Sequence, residues 1–506
     1  MRFRLLSVCT RGAAILACAS ACAVSSAASL FGIEDPFNVE SRTAPSPQQP
    51  WTPDRALPQA PPLTVPPELL AELNRPLSLA QLTEVALRLN LRTRQAWLSA
   101  RAEAAQWGVD HAGDLPQVAG LISDRIARNI SATSGLPNTT LIDQSGSVAL
   151  PPRGQSYSVF TQYGPSLSFS YILYDFGRRA ADKEATEYRI LAANLAQNRA
   201  LQEVAFQVEQ AYYRVLGLEA LVRASGESLK NFETALDATQ RRRDSGLATA
   251  GDVYRAETQV GQAQLVLSRN QGELSKARGA LANTVGLPVN FDLRLQPVSE
   301  LPPVEPINQS VDALLTQAKT SRPDLVAAEA RARAARATAR AEAKAGLPSV
   351  ELAGQYGRVN FTNTLTEQDV YGVGINVRIP IFSGFGDTYR ARRREEEASR
   401  EEANRDQAFL QTELDVWQAY FDLQTASTSI VSSANLVRSA GESAAAAVAR
   451  YGAGVGSLLD LITAQVDDTN ARVQQIQSYL DWYQALARLN FALGASDRSA
   501  LRGKTP

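Results

Sequence analysis

Residues able to do chemistry are sparse and widely scattered in this 506-residue chain. The lone histidine is His111, and Cys9, Cys18 and Cys22 all lie near the N-terminus. Their spacing assembles no serine–histidine–acid set, no cysteine nucleophile and no metal-ligating cluster, so catalysis and bound cofactors have almost no support. What does recur is a hydroxyl three residues before an acid: Thr249 before Asp252, and Ser457 before Asp460. That spacing suits local chemistry, in which the pair satisfies free amides at a helix start. Gly246, Gly454 and Gly456 stand just ahead of these pairs and permit tight turns.

The elements that carry these turns announce themselves through two strand-to-helix stretches. From Tyr163, the residues Leu167, Phe169, Tyr171 and Leu173 are large and apolar, while Gly164, Ser166, Ser168 and Ser170 are small or polar. The stretch from Tyr371 repeats the pattern, with Val373, Ile375, Val377, Ile379 and Ile381 against Gly372, Gly374, Asn376 and Arg378. A period of two with one apolar face fits either a soluble sandwich or a barrel with lipid outside and water inside. Each strand ends in a turn, Asp175-Phe176-Gly177 or Ser383-Gly384-Phe385, and a long polar helix is expected to follow.

From Ser78 the chain reads as one unit written twice. Ser78 falls on Ser310, Leu82 on Leu314 and Ala86 on Ala318; beyond a strand-connecting loop that is longer in the first copy, Tyr163 falls on Tyr371, Asp252 on Asp460 and Gly286 on Gly494. Such a long repeat is a duplication rather than a short-period solenoid. Each copy predicts helix, strand, loop, strand, long helix, turn, helix. Ser78 and Ser310 are N-cap candidates for helices expected to run unbroken to Gly113 and Gly346. The helix from Arg178 to about Ser245 should be about 100 Å long. A spacing of three and four predicts packing stripes at Leu459, Ile462, Val466, Val473, Ile476, Leu480, Tyr483 and Ala487, and at Val253, Ala256, Val260, Ala263, Leu267, Leu274, Ala277 and Leu281.

The N-terminus reads as an export signal, with Arg2, Arg4 and Arg11 before an apolar run that ends in small residues. Cleavage near Ala27 or Ala28 is one reading; lipidation of Cys22, or of Cys18, is the other, although Ala19 is small for its place in a lipoprotein site. The expected organisation is a signal peptide over 1–28, a Pro-rich arm over 29–77, repeats over 78–286 and 310–494 joined by a linker over 287–309, and a tail over 495–506. Past the signal no apolar run reaches the ~18 residues of a membrane helix, so any crossing is by strands. A net charge of −1 gives no argument for nucleic acid. Four strands cannot close a membrane barrel, and an open edge in lipid leaves backbone groups unsatisfied, so several chains must pool strands. Sequence physics alone leaves two chains or three open.

The junctions, the duplication and the turns Asp244 to Asp252 and Arg450 to Asp460 resemble the TolC family of outer-membrane efflux proteins over Ser78 to Gly494. The resemblance implies an α+β membrane protein: a homotrimer with a twelve-stranded barrel in outer-membrane lipid, continuing into a helical tunnel through the periplasm of a Gram-negative bacterium. It implies a periplasmic adaptor and an inner-membrane pump as partners, and an exit duct for small molecules or, alternatively, for secreted protein. An adaptor or a trimeric structural coiled coil would not need two strand pairs. On this reading Leu167, Phe169, Tyr171, Ile375, Val377 and Ile379 face lipid, and Asp175, Gly177, Ser383 and Gly384 form the barrel–helix joint. Asp252, Asp460 and Tyr451 would sit at the periplasmic entrance, with Gly246, Leu247, Gly454, Val455 and Gly456 as docking tips. The family's basic gate residue falls on Gly456, which argues against an ionic lock. Arg178, Arg179 and Lys183, with Arg390, Arg392, Arg393 and Arg394, either line the tunnel or are solvated charges paired with Glu395 to Glu397.

Overall fold

The computed structural model describes residues 75–132, 155–296, 309–361 and 364–494, with Gln48, Leu69 and Leu73 ahead of them. The chain divides into two units, Met1–Thr64 and Val65–Pro506, and Gln48 alone represents the first among the described residues. The signal segment with Cys18 and Cys22, nearly all of the Pro-rich arm, most of the linker and the tail lie outside the described residues.

The first copy holds α1 (Leu79–Leu89), α2 (Leu91–Ala112), β1 (Gln117–Ala132), β2 (Gln155–Tyr174), α3 (Arg178–Asp244) and α4 (Ala250–Val285). The second holds α5 (Val311–Ser321), α6 (Pro323–Ala343), β3 (Ser349–Phe361), β4 (Thr364–Arg378), α7 (Gly386–Gly452) and α8 (Leu458–Ala492). Both long helices, α3 and α7, contain 67 residues, and so span about 100 Å. Ser78 caps α1 in a reciprocal box with Gln81, and Ser310 caps α5 by accepting from the Ala313 amide.

The helices expected to run unbroken from Ser78 and Ser310 are each interrupted once. Asn90 and Arg322, at equivalent positions, adopt extended backbone conformations between α1 and α2 and between α5 and α6. Each break is used to hold the end of its copy's last helix. The Asn90 Nδ2 donates to the Thr284 carbonyl (2.7 Å) in the last turn of α4, and the Arg322 Nη1 to the Ala492 carbonyl (3.3 Å) at the end of α8. Helix ends leave such carbonyls without an intrahelical partner, so the break and the helix end satisfy each other. Gly286 (φ 93°) and Gly494 (φ 71°) follow in the left-handed region, and a Cβ on them would meet Leu89 O at 2.8 Å and Arg322 Cα at 3.0 Å.

The four strands form one antiparallel sheet in the order β1-β2-β3-β4. Nearest the sheet the helices run side by side as α2, α3, α6, α7; farther away the order becomes α4, α3, α8, α7. Apolar clusters hold the rods together. One joins α1, α3 and α4 through Leu82, Val204, Val208 and Leu281; a second joins α5, α7 and α8 through Leu314, Val416, Leu423 and Leu489.

The stripe predicted in α4 includes the buried Val253, Ala256, Ala263, Ala277 and Leu281. In α8 the predicted row is buried at Ile462 and Ala487, and Val466, Leu480 and Tyr483 pack against the apolar clusters, but Leu459 is exposed. The buried face also takes in Leu458, Leu461, Asp468, Ala471, Ser478, Trp482, Ala485 and Leu489. Small side chains let the helices approach closely there, so burial follows size as well as hydrophobicity.

Replacing Gly494 by Ala should lower stability by about 1–3 kcal/mol through the left-handed backbone alone, with the contact to Arg322 adding to it. A lowered thermal transition of the detergent-solubilised protein would show this. Gly108→Ala, inside α2 with open space around its Cβ, is the control and should show no loss.

Candidate functional site

The sheet offers two unlike faces. Cross-strand partners share a face, and the register aligns Val118 with Phe169, Phe169 with Gly354, and Gly354 with Val373. The neighbouring rows place Gly120, Leu167, Tyr356 and Tyr371 together, and Tyr171, Leu352 and Ile375. Val350 and Val377 complete the apolar face near the helices. At the far end the Arg358–Asp369 ion pair (3.0 Å), then Asp124 and Asn360, terminate it. The opposite face is small and mostly uncharged: Ala119, Ser166, Ser168, Ser170, Ala353, Gln355, Gly372, Gly374 and Asn376. Glu351 and Arg378 stand near its helix end.

Leu167, Phe169, Tyr171, Ile375 and Val377 therefore share one face, as the sequence predicts. Ile379 does not belong to a strand: β4 ends at Arg378, and Pro380 just beyond has no amide to extend the ladder. A register shift between Ile172 and Tyr174 also takes Leu173 out of the alternation and puts Tyr174 opposite Val350.

At the joint, Asp175 organises the entry into α3. Its carboxylate accepts from the Gly177 amide (3.2 Å), the Arg179 amide (3.0 Å) and the Arg179 Nε (3.0 Å). Burial alone would raise the Asp175 carboxyl, but these bonds hold it below the ordinary value. Arg179 also donates to the carbonyls of Gly113 and Ile172, and Lys183 binds Asp114 (2.5 Å), whose carboxyl it lowers. In the second copy Ser383 accepts from the Asp387 amide (3.4 Å), Arg390 pairs with Asp387 and Glu342, and Arg393 and Arg394 pair with Glu397. Several of these cations are thus fixed struts of the joint. Gly177 and Gly384 take the left-handed backbone there.

At the far end of the rods, Asp252 and Thr249 form a complete capping box, in which Oδ2 of Asp252 accepts from the Thr249 amide (3.0 Å) and hydroxyl (2.8 Å). These donors lower the Asp252 carboxyl. In the copy, the Asp460 amide donates to Ser457 Oγ (3.1 Å). Gly246 and Gly454 have positive φ, whereas Gly456 is required by space: its Cβ would lie 3.0 Å from the Tyr451 amide. Leu247 (69%) and Val455 (78%) are the exposed apolar residues of the two tips.

Tyr451 is buried between the copies rather than displayed. Its hydroxyl pairs with Thr239 (2.9 Å), its carbonyl accepts from Arg242 Nη1 (2.6 Å), and the Arg242 guanidinium lies 4.6 Å from its ring centroid. Thr239 and Arg242 carry no spacing signal, because their partner belongs to the other copy.

The sequence pattern of the outer membrane efflux protein family matches residues 82–287 and 314–495. The chain belongs to that family. Protein CyaE of Bordetella pertussis is 26% identical over 85% of this chain and 86% of its own length. The probable efflux pump outer membrane protein TtgC of Pseudomonas putida is 27% identical over 56% of this chain, which spans about half (54%) of that relative. The solved structure of the outer-membrane channel OprN superposes with a TM-score of 0.72 at 21% identity, covering 83% of this chain and 90% of OprN. The fold is thus the duplicated α+β fold of outer-membrane channels, in which barrel strands run into long tunnel helices. The protein is an outer-membrane protein with a large periplasmic portion.

The two faces should respond oppositely to charge. Phe169→Arg should cost about 2–4 kcal/mol in the bilayer and abolish the heat-modifiable folded band on gels. Ser168→Arg, one residue along on the opposite face, should leave that band in place.

Proposed function

We propose that three chains pool their sheets into a twelve-stranded barrel, and that the trimer is a passive exit duct serving a periplasmic adaptor and an inner-membrane pump. The observation that carries this reading is the coincidence of free edges. The outer edges of β1 and β4 have no strand partner among the described residues, and the flanking helices α2 and α7 are the outermost helices beside them. Both outer helices expose apolar stripes: Leu91, Leu98 and Val109 on α2, and Leu410, Leu414, Trp417 and Phe421 on α7. Farther from the sheet, Tyr254, Leu265 and Val266 on α4 face outward, as do Val431, Leu436 and Val448 on α7. Apolar stretches on both outer edges of the rod support a head-to-tail contact between identical chains. Three is the number that the family resemblance implies.

In such a ring the small, mostly uncharged sheet face becomes the lumen wall. Asp252 and Asp460 gather as three copies each around the narrow end, where they attract cations and contribute to a gate. Asp252 spends only Oδ2 on its cap, so capping and a ring role are compatible. The exposed apexes at Leu247 and Val455, with their glycines, dock the adaptor. Small molecules are the proposed cargo, a reading supported by the efflux-pump name of TtgC. The duct itself neither transforms its cargo nor consumes energy.

Purified protein in a planar bilayer should give stable steps of uniform conductance; silence from correctly folded trimer would sink the duct. Leu414→Arg combined with Trp417→Arg should reduce the trimer fraction about tenfold or more in native mass spectra, roughly 1.4 kcal/mol per factor of ten. Deleting the gene should raise susceptibility to small toxic compounds; unchanged susceptibility with loss of a secreted protein would make protein the cargo.

A further inference from the structure

The seam that joins the two copies inside one chain has a counterpart, residue for residue, on the chain's free edges. Residues that pair in β1 and β2 have equivalents that pair in β3 and β4: Gln117 with Ser170 in the first copy, Ser349 with Arg378 in the second. The helices keep the same step. α3 and α7 begin at the equivalent residues Arg178 and Gly386, α2 and α6 at Leu91 and Pro323, and α4 and α8 at Ala250 and Leu458. Across the internal seam β2 and α3 meet β3, α6 and α8. The equivalents of these elements are β4 and α7 on one free edge, and β1, α2 and α4 on the other.

Along α3 and α8 the seam stacks Phe206 on Phe491 (centroids 4.5 Å apart) and Tyr213 on Tyr483 (4.4 Å), and pairs the Ser228 and Thr469 hydroxyls (3.0 Å). The equivalents of the α3 residues are Leu414, Phe421 and Leu436 on α7, all exposed although large and apolar. The equivalents of the α8 residues are Asn283, Ser275 and Gly261 on α4, also exposed. Inside the chain Leu480 of α8 fills the notch at Gly217, 3.2 Å from where a Cβ would lie; the α4 equivalent of Leu480 is Gly272. No atom of the chain comes within 4 Å of a Cβ placed on Gly261 or Gly272. Glycine inside an exposed helix is destabilising relative to alanine, and α8 contains none. No contact of their own chain explains these two.

Charge and sheet follow the same correspondence. Arg333 of α6 lies over the Tyr188 ring of α3 (5.9 Å). The equivalents are Arg101 on α2 and Glu396 on α7, which are exposed, opposite in charge, and without an ion-pair partner among the described residues. Phe169 of β2 stands opposite Gly354 of β3, and their equivalents Val377 of β4 and Ile122 of β1 are both exposed.

We propose that the free edges recognise a second copy of this chain in the register of the internal seam. Val377 then stands opposite Ile122, Glu396 pairs with Arg101, and Leu414, Phe421 and Leu436 seat over Asn283, Ser275 and Gly261. Inside the chain both helices supply bulk, whereas between chains α7 supplies the bulk and α4 the space. That division makes the fit directional: α7 meets too much bulk on another α7, and α4 too little on another α4. The assignment rests on the ring of three chains proposed above and adds the residues that decide which edge is accepted.

Full-length protein carrying Ile122→Cys and Val377→Cys, oxidised in its membrane, should run as covalent dimer and trimer on non-reducing gels. The unmodified protein, whose cysteines all lie near the N-terminus, is the blank. Ile122→Cys with Val373→Cys should crosslink about tenfold less, because four residues of strand separate the thiols by about 13 Å, beyond disulfide reach. Gly261→Leu should reduce the trimer fraction several-fold in native mass spectra, and adding Leu436→Ala should restore most of it. Arg101→Glu should weaken assembly a few-fold, with recovery when Glu396→Arg is added. Trimers crosslinked at 122/373 but not at 122/377, an undiminished Gly261→Leu trimer, or a loss that Leu436→Ala does not relieve would each overturn this register while leaving the ring. Absence of trimer from the unmodified protein overturns the ring, and the register with it.

Discussion

Every level of this structure answers to one constraint: backbone amides and carbonyls inside a hydrocarbon layer must find partners within protein. The four strands among the described residues leave two ladders of such groups unpaired there, at the outer edges of β1 and β4. No side-chain device removes that requirement, so the edges have to meet edges of other copies. The apolar stripes on α2, α4 and α7 continue the same demand into the aqueous compartment, where the hydrophobic effect replaces hydrogen bonding as the driving force. The sheet and the rods therefore ask for the same neighbour by different physics.

Within one chain the duplication keeps geometry and changes chemistry. At the first helix break a neutral amide, Asn90, reaches the end of α4. At the second, Arg322 is buried, bridges Asp324 (2.6 Å) and Asp415 (3.2 Å), and reaches the end of α8. Burial opposes its charge, yet the two aspartates prevail and raise its affinity for the proton. Arg199, from the first copy, shares Asp324 (3.7 Å) and covers the Phe491 ring at 3.7 Å, while Phe206 stacks on that ring. Arg322 itself is buried while both aspartates are about a third exposed, so removing either aspartate would leave a buried charge incompletely compensated. The second break is thereby tied to both copies, and it keeps two otherwise similar rods in fixed relation.

What the sequence showed follows from how local each determinant is. Capping by Thr249 with Asp252, and by Ser457 alone at the second tip, needs only a spacing of three, and the alternation of β2 and β4 needs only one-sided surroundings, so both were visible. Alternation in β1 is blurred because Leu121 falls on the small-residue face and Gly120 on the apolar one. The Arg322 break had a signal, since the residue before Pro323 disfavours helix. Asn90 lacked one, because nothing in its neighbourhood interrupts the helical pattern. The row in α8 was only partly legible because alanine, serine and a buried aspartate also pack there. Tyr451 was legible as a position but not as a contact: Thr239 and Arg242 lie across the repeat and become its neighbours only when the copies pack.

The order of elements in the duplicated unit has an architectural consequence. The outer helix α2 corresponds to α6 and the outer helix α7 to α3, so the two edges of a chain are built from different helices even where the copies agree. One edge carries Leu91, Leu98 and Val109, and the other carries Leu410, Leu414, Trp417 and Phe421. Unlike edges favour a heterologous, head-to-tail contact, which generates a ring when its rotation closes. β1 next to β4 is also a head-to-tail contact, so strands and helices call for the same rotation. A closed ring of β1-to-β4 contacts leaves no strand edge bare in lipid, whereas a contact of β1 with β1 would leave both β4 edges unpaired.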